Sequence, residues 1–127
     1  MKVIYVASPY AGDIEQNTAF AKEACRHVMN DGHAFFAPHL LYPNLLRESE
    51  QAERQAGLDM SIAMLSHCDE LWCYGNRISY GMHLEIEEAR RIGLPVRRVM
   101  QQENGFVIGS ARNVQQAEAP AMAIGMC

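Results

Sequence analysis

The feature that most limits the fold of this chain is a regular alternation of short apolar segments with longer amphipathic ones. The apolar, β-rich runs lie at 2–7, 33–37, 70–74 and 95–100. Pro9 and Pro38 follow the first two runs, and Asp13 with Gln16 forms a capping-box pattern that predicts the start of the first helix. An alternation of strands and helices predicts right-handed crossovers and a parallel sheet that is covered by helices on both faces.

The composition fits a single soluble, globular domain without a nucleic-acid or membrane partner. Of the 127 residues, 49% are hydrophobic and 20% are charged, which suits a chain with one core. The formal net charge of −4 lacks the basic character that nucleic acids and anionic membranes attract. No apolar run approaches the ~20 residues that span a bilayer, and the opening MKVIYVASPY reads as a strand rather than a signal peptide. We therefore expect a cytoplasmic protein.

The remaining segments define two regions of the chain. A second helix contains Leu58, Ile62 and Leu65 and begins either near Glu50 or near Gly57. The stretch 38–53 has no clear period and reads as a long loop, a type of segment that often carries function. From residue 101 the chain is rich in Gln, Ala, Gly and Met. We expect a folded domain over 1–100 and, over 101–127, a C-terminal tail that is either a docking arm or partly disordered.

Glu85 is the most informative candidate for a functional residue. In the stretch 81–93, GMHLEIEEARRIG, Glu85 shares one helix face with Met82 and Ala89, because residues three and four apart are neighbours on a helix. This face should pack on the sheet, so the carboxylate is predicted to be half-buried at the carboxyl edge of the strands. Its position predicts a covalent or acid–base role. The alternative is a surface acid in a helix rich in Arg and Glu.

Asp59 is the second candidate carboxylate. It precedes Asp69 by ten residues, and a helical rise of 1.5 Å per residue places it ~12–15 Å above the lower edge of the sheet. A six-residue strand climbs ~18–20 Å, so Asp59 should approach the same edge as Glu85. Two carboxylates near one cleft are the minimum for glycosidic chemistry. The alternative for Asp59 is an acid at a helix start that interacts with the helix dipole.

Three loops, 8–13, 38–53 and 75–80, follow parallel strands and should therefore meet at this edge. In such sheets ligands bind at the carboxyl ends of the strands. The SPYAGD loop offers backbone N–H groups but lacks the GxGxxG and GxxxxGKS patterns, so it is either a small polar pocket or an ordinary turn. His39 either bonds a ligand oxygen or has a structural role. We predict substrate contacts for Ser8, Tyr10, Gly12, His39, Gly75, Ser79, Gly81 and Met82.

Neither a metal nor a cofactor is predicted. The four cysteines, at 25, 68, 73 and 127, form no CxxC pair, and the HExxH pattern is absent. The cysteines therefore read as reduced thiols that pack as small apolar side chains. A 5′-phosphate on a ligand would depend on backbone N–H groups or on Arg77, because the SPYAGD loop has no basic residue.

Four stretches of the chain resemble the nucleoside 2-deoxyribosyltransferase-like superfamily, most closely its short bacterial and phage-borne members of unassigned function. These stretches are VIYVASPYAGD, FFAPHLL, LDMSIAMLSHCDELWCYG and ISYGMHLEIEEARRIGLPV, and together they cover about residues 2–99. The resemblance implies an α/β fold, a flavodoxin-like three-layer sandwich with a parallel sheet of four to five strands. It also implies cleavage of an N-glycosidic bond without a cofactor, on a small nucleoside or nucleotide, and a homo-oligomer.

The resemblance also implies roles for individual residues. Glu85 matches the glutamate that attacks the anomeric carbon, and Tyr5 matches a tyrosine that holds this glutamate. Asp59 is the nearest counterpart of an aspartate that handles the leaving base, although the family's acid usually falls where this chain has Ser61.

Two further functions remain open. One alternative is a non-catalytic module that senses a nucleotide in the same pocket, and another is an oligomeric scaffold assembled through the tail.

Overall fold

The chain folds around a five-stranded sheet. The computed structural model describes residues 1–109. Its strands are β1 (Val3–Ala7), β2 (Ala34–Phe36), β3 (Glu70–Tyr74), β4 (Val96–Gln102) and β5 (Gly105–Ile108). Its helices are α1 (Ile14–Asn30), α2 (Pro38–Leu41), α3 (Gln51–Met64) and α4 (Tyr80–Arg91), with 3₁₀ turns at Tyr42–Asn44 and Leu65–His67.

The strand order in the sheet is β2-β1-β3-β4-β5, with the first four strands parallel and β5 antiparallel to β4. This order is the flavodoxin-like one, in which the sheet is wound in both directions from the β1/β3 pair. The predicted flavodoxin-like α/β fold is confirmed. The carboxyl ends of β1 and β3 therefore form the topological switch point where ligands bind in such sheets.

Alternate residues of the central strands enter two separate cores. Tyr5, Ala7 and Leu71 pack with residues of α4, whereas Ile4 and Trp72 pack with residues of α1 on the opposite face. This division follows from the two-residue period of a strand. Because both faces of the sheet are covered, β1 and β3 are almost uniformly apolar.

The sequence predicts the element positions well, with two differences. Asp13 caps α1 by accepting a hydrogen bond from the Gln16 N–H at 3.0 Å, as the capping pattern predicts. The helix α3 begins after Glu50, which decides between the two predicted starts. The stretch 38–53, predicted as a loop, contains α2 and a 3₁₀ turn; Pro38 at the start of α2 supplies the backbone angle that a first helical turn needs.

The second difference concerns the predicted tail. Residues 101–108 belong to the sheet, because β4 continues to Gln102 and β5 pairs with it, Met100 opposite Val107. A half-exposed edge strand is recognised by an alternation of apolar and polar residues, and in β5 this alternation is too short to identify the strand from the sequence. The rest of the predicted tail, 110–127, lies outside the described residues, as does the fourth cysteine; the other three cysteines are buried thiols.

A buried carboxylate fixes the amino-terminal edge of the sheet. Glu70 begins β3 and accepts hydrogen bonds from the Lys2 ammonium at 2.7 Å, the Arg97 guanidinium at 2.8 Å and the Trp72 indole N–H at 2.8 Å. Burial alone would raise the pKa of Glu70, but these three donors lower it to about 2. Because Lys2 directly precedes β1, Trp72 belongs to β3 and Arg97 belongs to β4, the cluster joins three neighbouring strands. It lies at the opposite edge from the switch point.

Candidate active site

A cavity of about 130 Å³ lies beside the carboxyl ends of β1 and β3. This volume has room for several water molecules. The polar and charged side chains that line it come from the loop after β1, the α2 region, α3 and α4: Tyr10, His39, Glu48, Arg54, Ser61 and Glu85. In its position and in its mixture of aromatic and charged groups, the cavity has the character of a binding site for a small molecule.

Glu85 is held inside the protein by the register of α4. Ser79 caps this helix by accepting a hydrogen bond from the Met82 N–H at 3.3 Å. The cap fixes which residues face the sheet, and Met82 and Ala89 on that face are fully buried. Glu85 lies between them on the same stripe and is only 3% exposed. An isolated carboxylate is costly to bury, so this position requires a compensating interaction or a function.

Tyr5 of β1 provides part of this compensation. Its hydroxyl donates a hydrogen bond to Glu85 Oε2, while Glu85 Oε1 is buried without a hydrogen-bond partner among the described residues. Burial raises the pKa of Glu85 to about 7, and the hydrogen bond from Tyr5 acts in the opposite direction. Burial and the nearby carboxylate raise the pKa of Tyr5 far above its usual range, so the tyrosine stays a donor. One carboxylate oxygen is therefore fixed and the other is uncommitted beside the cavity.

Tyr10 and His39 form an aromatic surface in the cavity. Their rings stack with centroids 5.1 Å apart and an interplanar angle of 23°. Burial lowers the pKa of His39 to about 4, although a hydrogen bond with the backbone of Ser8 acts in the opposite direction. His39 is therefore a neutral imidazole near neutral pH, and Ser8 positions it from the end of β1 through its backbone. A flat, neutral surface of this kind suits stacking by a planar ring.

The two candidate residues on α3 lie in different environments. Asp59 is exposed, and its carboxylate accepts a hydrogen bond from the Gln55 side chain at 2.9 Å. It lines a groove between α3 and α4 rather than the cavity, so the structure does not bring it together with Glu85. Ser61, two residues on, is buried at the cavity and donates a hydrogen bond to the Gly57 carbonyl at 2.8 Å. The rise per residue predicts only the height of Asp59 along α3 and contains no information about the side of the helix on which it lies.

The remaining predicted contact residues are divided between the cavity and other positions. Gly81 lines the cavity. Met82 belongs to the core, and Ser79 is the helix cap described above. Gly12 is exposed in the loop after β1, and Gly75 lines a different cavity, together with Phe20 of α1. Both of these glycines have positive φ angles, 102° and 112°, so their presence is explained by the backbone conformation of the turns.

Two charged residues of the cavity, Glu48 and Arg54, escape prediction from the sequence. Glu48 lies inside the 38–53 stretch, which has no periodic pattern that distinguishes one acid from its neighbours. Arg54 lies in the first turns of α3, a helix for which the sequence predicts two alternative starts. Glu48 lies in the longest segment between two strands, and long connecting segments often carry function. The length of the segment identifies this region but not an individual residue within it.

Within residues 1–109, no helix has both the length and the apolar character needed to cross a bilayer. In the same part of the chain, no three His, Cys, Asp or Glu side chains are grouped so that they would hold a metal ion.

Comparison with solved structures shows the same fold in other proteins. A 2-deoxyribosyltransferase from Bacillus psychrosaccharolyticus is 18% identical and has a TM-score of 0.61, with 80% of this chain and 74% of that chain covered. A 2-deoxyribosyltransferase from Leishmania mexicana is 16% identical, with a TM-score of 0.54 and coverage of 80% and 66%. A conserved protein from Enterococcus faecalis V583 is 20% identical, with a TM-score of 0.55 and coverage of 94% and 74%. At these identities the likeness shows a nucleoside 2-deoxyribosyltransferase-like fold.

Comparison by sequence gives a family without an assigned function. A search of the curated proteins finds no match. The model of one family, the Domain of unknown function (DUF7768), matches residues 2–99. The chain therefore belongs to the DUF7768 family.

Proposed function

We propose that this protein cleaves the N-glycosidic bond of a nucleoside, deoxynucleoside or nucleotide through a covalent glycosyl–Glu85 intermediate. The observation that carries the proposal is the state of the Glu85 carboxylate. One oxygen is fixed by the Tyr5 hydroxyl, and the other lies beside the cavity without a partner among the described residues. The fold shared with two 2-deoxyribosyltransferases supports the same chemistry.

The chemistry requires a carboxylate in this arrangement. Cleavage of a glycosidic bond passes through an oxocarbenium-like transition state, and an ionised carboxylate next to C1′ stabilises the positive charge and then forms a bond to carbon. The hydrogen bond from Tyr5 favours the ionised form and fixes the orientation of the carboxylate. The stacked rings of Tyr10 and His39 offer a surface for the planar base. The sugar then passes to another base or to water.

A 2-deoxy-2-fluoro nucleoside tests the covalent step directly. Fluorine at C2′ destabilises the oxocarbenium-like transition states, so a glycosyl-enzyme intermediate accumulates. Mass spectrometry should find the fluorosugar attached to the peptide that contains Glu85, and the Glu85→Gln variant should carry no adduct. Full activity of a Glu85→Ala variant on every nucleoside that the protein cleaves would contradict the covalent mechanism.

The second candidate function is a non-catalytic module that binds a nucleotide in the same cavity. The position of Asp59 favours it, because the predicted partner carboxylate is exposed and outside the cavity. Isothermal titration against a panel of nucleosides and nucleotides, with chromatography of the same mixtures, separates the two functions. Binding without release of a base identifies a sensor, whereas release of a base identifies an enzyme.

The predicted homo-oligomer and the scaffold function remain predictions. Because β5 ends at Ile108, a truncation that tests the tail should remove 110–127 and leave the sheet complete. A lower mass in solution for this truncated chain, with unchanged binding of nucleosides, would identify the tail as the element that mediates assembly.

A further inference from the structure

The cavity contains a second carboxylate besides that of Glu85. Glu48 lines the same cavity from the segment before α3 and is half-buried. The backbone on both sides of it is fixed: the Arg47 N–H donates to the Glu53 carboxylate at 2.7 Å, and the Glu50 N–H donates to the Arg47 carbonyl at 3.0 Å. The Glu48 carboxylate itself makes no hydrogen bond or ion pair within the described part of the chain. The backbone at Glu48 is therefore held in place, and its carboxylate is available to a ligand.

The other titratable side chains that line the cavity are poor proton donors near neutral pH. Tyr10 and Tyr42 are phenols, and burial together with the charge of Glu48 raises the pKa of Tyr10 further. His39 is neutral, because burial lowers its pKa to about 4. Apart from Glu85, Glu48 is the one carboxylic acid among the described residues that line the cavity, and carboxylic acids carry out the proton transfers of glycosidic chemistry.

We propose that Glu48 is the acid–base group of this cavity and acts on the leaving base while Glu85 acts on the sugar. This assignment rests on the proposed function. It takes over the role that the sequence suggested for Asp59, which lies outside the cavity. A division of work between two carboxylates from different parts of the chain is the usual arrangement for glycosidic chemistry.

The reaction is balanced in two steps. In the first, the C1′–N bond breaks, its electron pair moves to the base, a nitrogen of the base takes the proton of the Glu48 carboxyl, and Glu85 forms a bond to C1′. In the second, the Glu48 carboxylate takes a proton from water or from an acceptor base. The oxygen or nitrogen so activated attacks C1′, the bond between C1′ and Glu85 breaks, and both carboxyl groups return to their starting states.

The bound substrate itself favours the neutral form of Glu48 that the first step needs. A base stacked on the rings of Tyr10 and His39 covers the neighbouring Glu48 and removes water from it. Removal of water disfavours the charged form of a carboxyl group and raises its pKa. The proton is then available at the position where the leaving base develops negative charge.

Two substrates separate this role from a structural one. An ordinary purine nucleoside needs a proton to leave, whereas an N7-methylated purine nucleoside is already cationic and leaves as a neutral base. On the ordinary nucleoside, Glu48→Gln should lower the rate of base release in the first turnover by ~10²–10⁴-fold, the usual contribution of general acid catalysis. On the methylated nucleoside the rate of base release in the first turnover of the same variant should fall less than ~10-fold, because the first step then needs no proton.

Two controls accompany this measurement. Glu85→Gln should lose activity on both nucleosides, since both require attack on C1′. Glu50→Gln removes a neighbouring carboxylate that forms an exposed ion pair with Arg47 at 3.1 Å, and it should behave as the parent chain does. The urea midpoint of Glu48→Gln should equal that of the parent chain, because Glu48 has no partner to lose.

The outcomes distinguish the inference from the proposed function. If the parent chain cleaves nucleosides and Glu48→Gln releases the base in the first turnover at the parent rate from both substrates, or equally slowly from both, Glu48 is not the acid–base group. If Asp59→Asn loses activity on the ordinary nucleoside and Glu48→Gln does not, the acid–base group is Asp59 of α3. If the parent chain releases no base from any nucleoside, the proposed function fails and this assignment fails with it.

Discussion

The buried carboxylate of Glu85 should make the protein less stable as the pH rises, and Glu85→Gln should remove this dependence. Burial raises the pKa of Glu85 from 4.5 to about 7 in the folded chain. The folded state therefore holds this proton more tightly than the unfolded state, so the contribution to stability is complete below about pH 4.5 and is lost as the pH rises through about 7. Between about pH 5 and about pH 8 the free energy of unfolding should fall by about 2.5 kcal/mol from this group alone.

The assay is urea unfolding of the parent chain and of Glu85→Gln at several pH values. The glutamine keeps an acceptor for the Tyr5 hydroxyl, so its own effect on stability is constant with pH. Relative to the parent chain, the variant should gain about 2.5 kcal/mol on going from the lower to the higher pH, which is roughly 1–2 M in the urea midpoint. Titration of other groups cancels in this difference.

A second variant with the same change of charge serves as the control. Glu23→Gln makes the same change of charge at an exposed position on α1, and its difference from the parent chain should not vary with pH. If the difference between Glu85→Gln and the parent chain is equally constant from about pH 5 to about pH 8, the carboxylate is solvated and the reasoning from burial is wrong.

Three further results are expected. In a pH–rate profile, the rate of the proposed sugar transfer should rise with pH through about 7, which is the pKa of Glu85. Tyr5→Phe should move this midpoint to higher pH and slow the reaction by ~10-fold or more, because it removes the hydrogen bond that favours the ionised carboxylate. Glu70→Gln should lower the free energy of unfolding near neutral pH by roughly 1–2 kcal/mol; the loss is this small because the partners Lys2 and Arg97 are partly exposed. Urea titrations at low pH should show the loss disappear as the pH falls from about 4.5 towards about 2. Ser79→Ala should cost about 0.5–2 kcal/mol in the same assay by removing the cap of α4.

The fold was predictable because its signals are local. The apolar runs of β1 and β3, the capping pair at Asp13 and the stops at Pro9 and Pro38 each act within a few residues, and together they determine the order of elements. The burial of Glu85 was predictable for the same reason, since it follows from the period of a single helix. The strand β5 was not predicted, because a short edge strand gives only a weak alternation.

The cavity was less predictable because its members meet through tertiary packing. Asp59 and Ser61 are two residues apart on α3, about 200° around the helix, so they lie on nearly opposite sides, and only the packing of α3 decides which side faces the cavity. The position of Glu48 depends on a segment without periodicity. The height of a residue along an element can be calculated from the sequence, but the direction of its side chain requires the neighbouring elements.

The hydrogen bond between Tyr5 and Glu85 joins residues that are 80 positions apart in the chain. The proposed nucleophile and the group that orients it therefore meet only after β1 and β3 have paired and α4 has docked on them. A nascent or partly folded chain carries the carboxylate but cannot aim it at a substrate. Turnover would thus appear only after β1, β3 and α4 have assembled during refolding, and enzymatic activity would report this long-range step of folding.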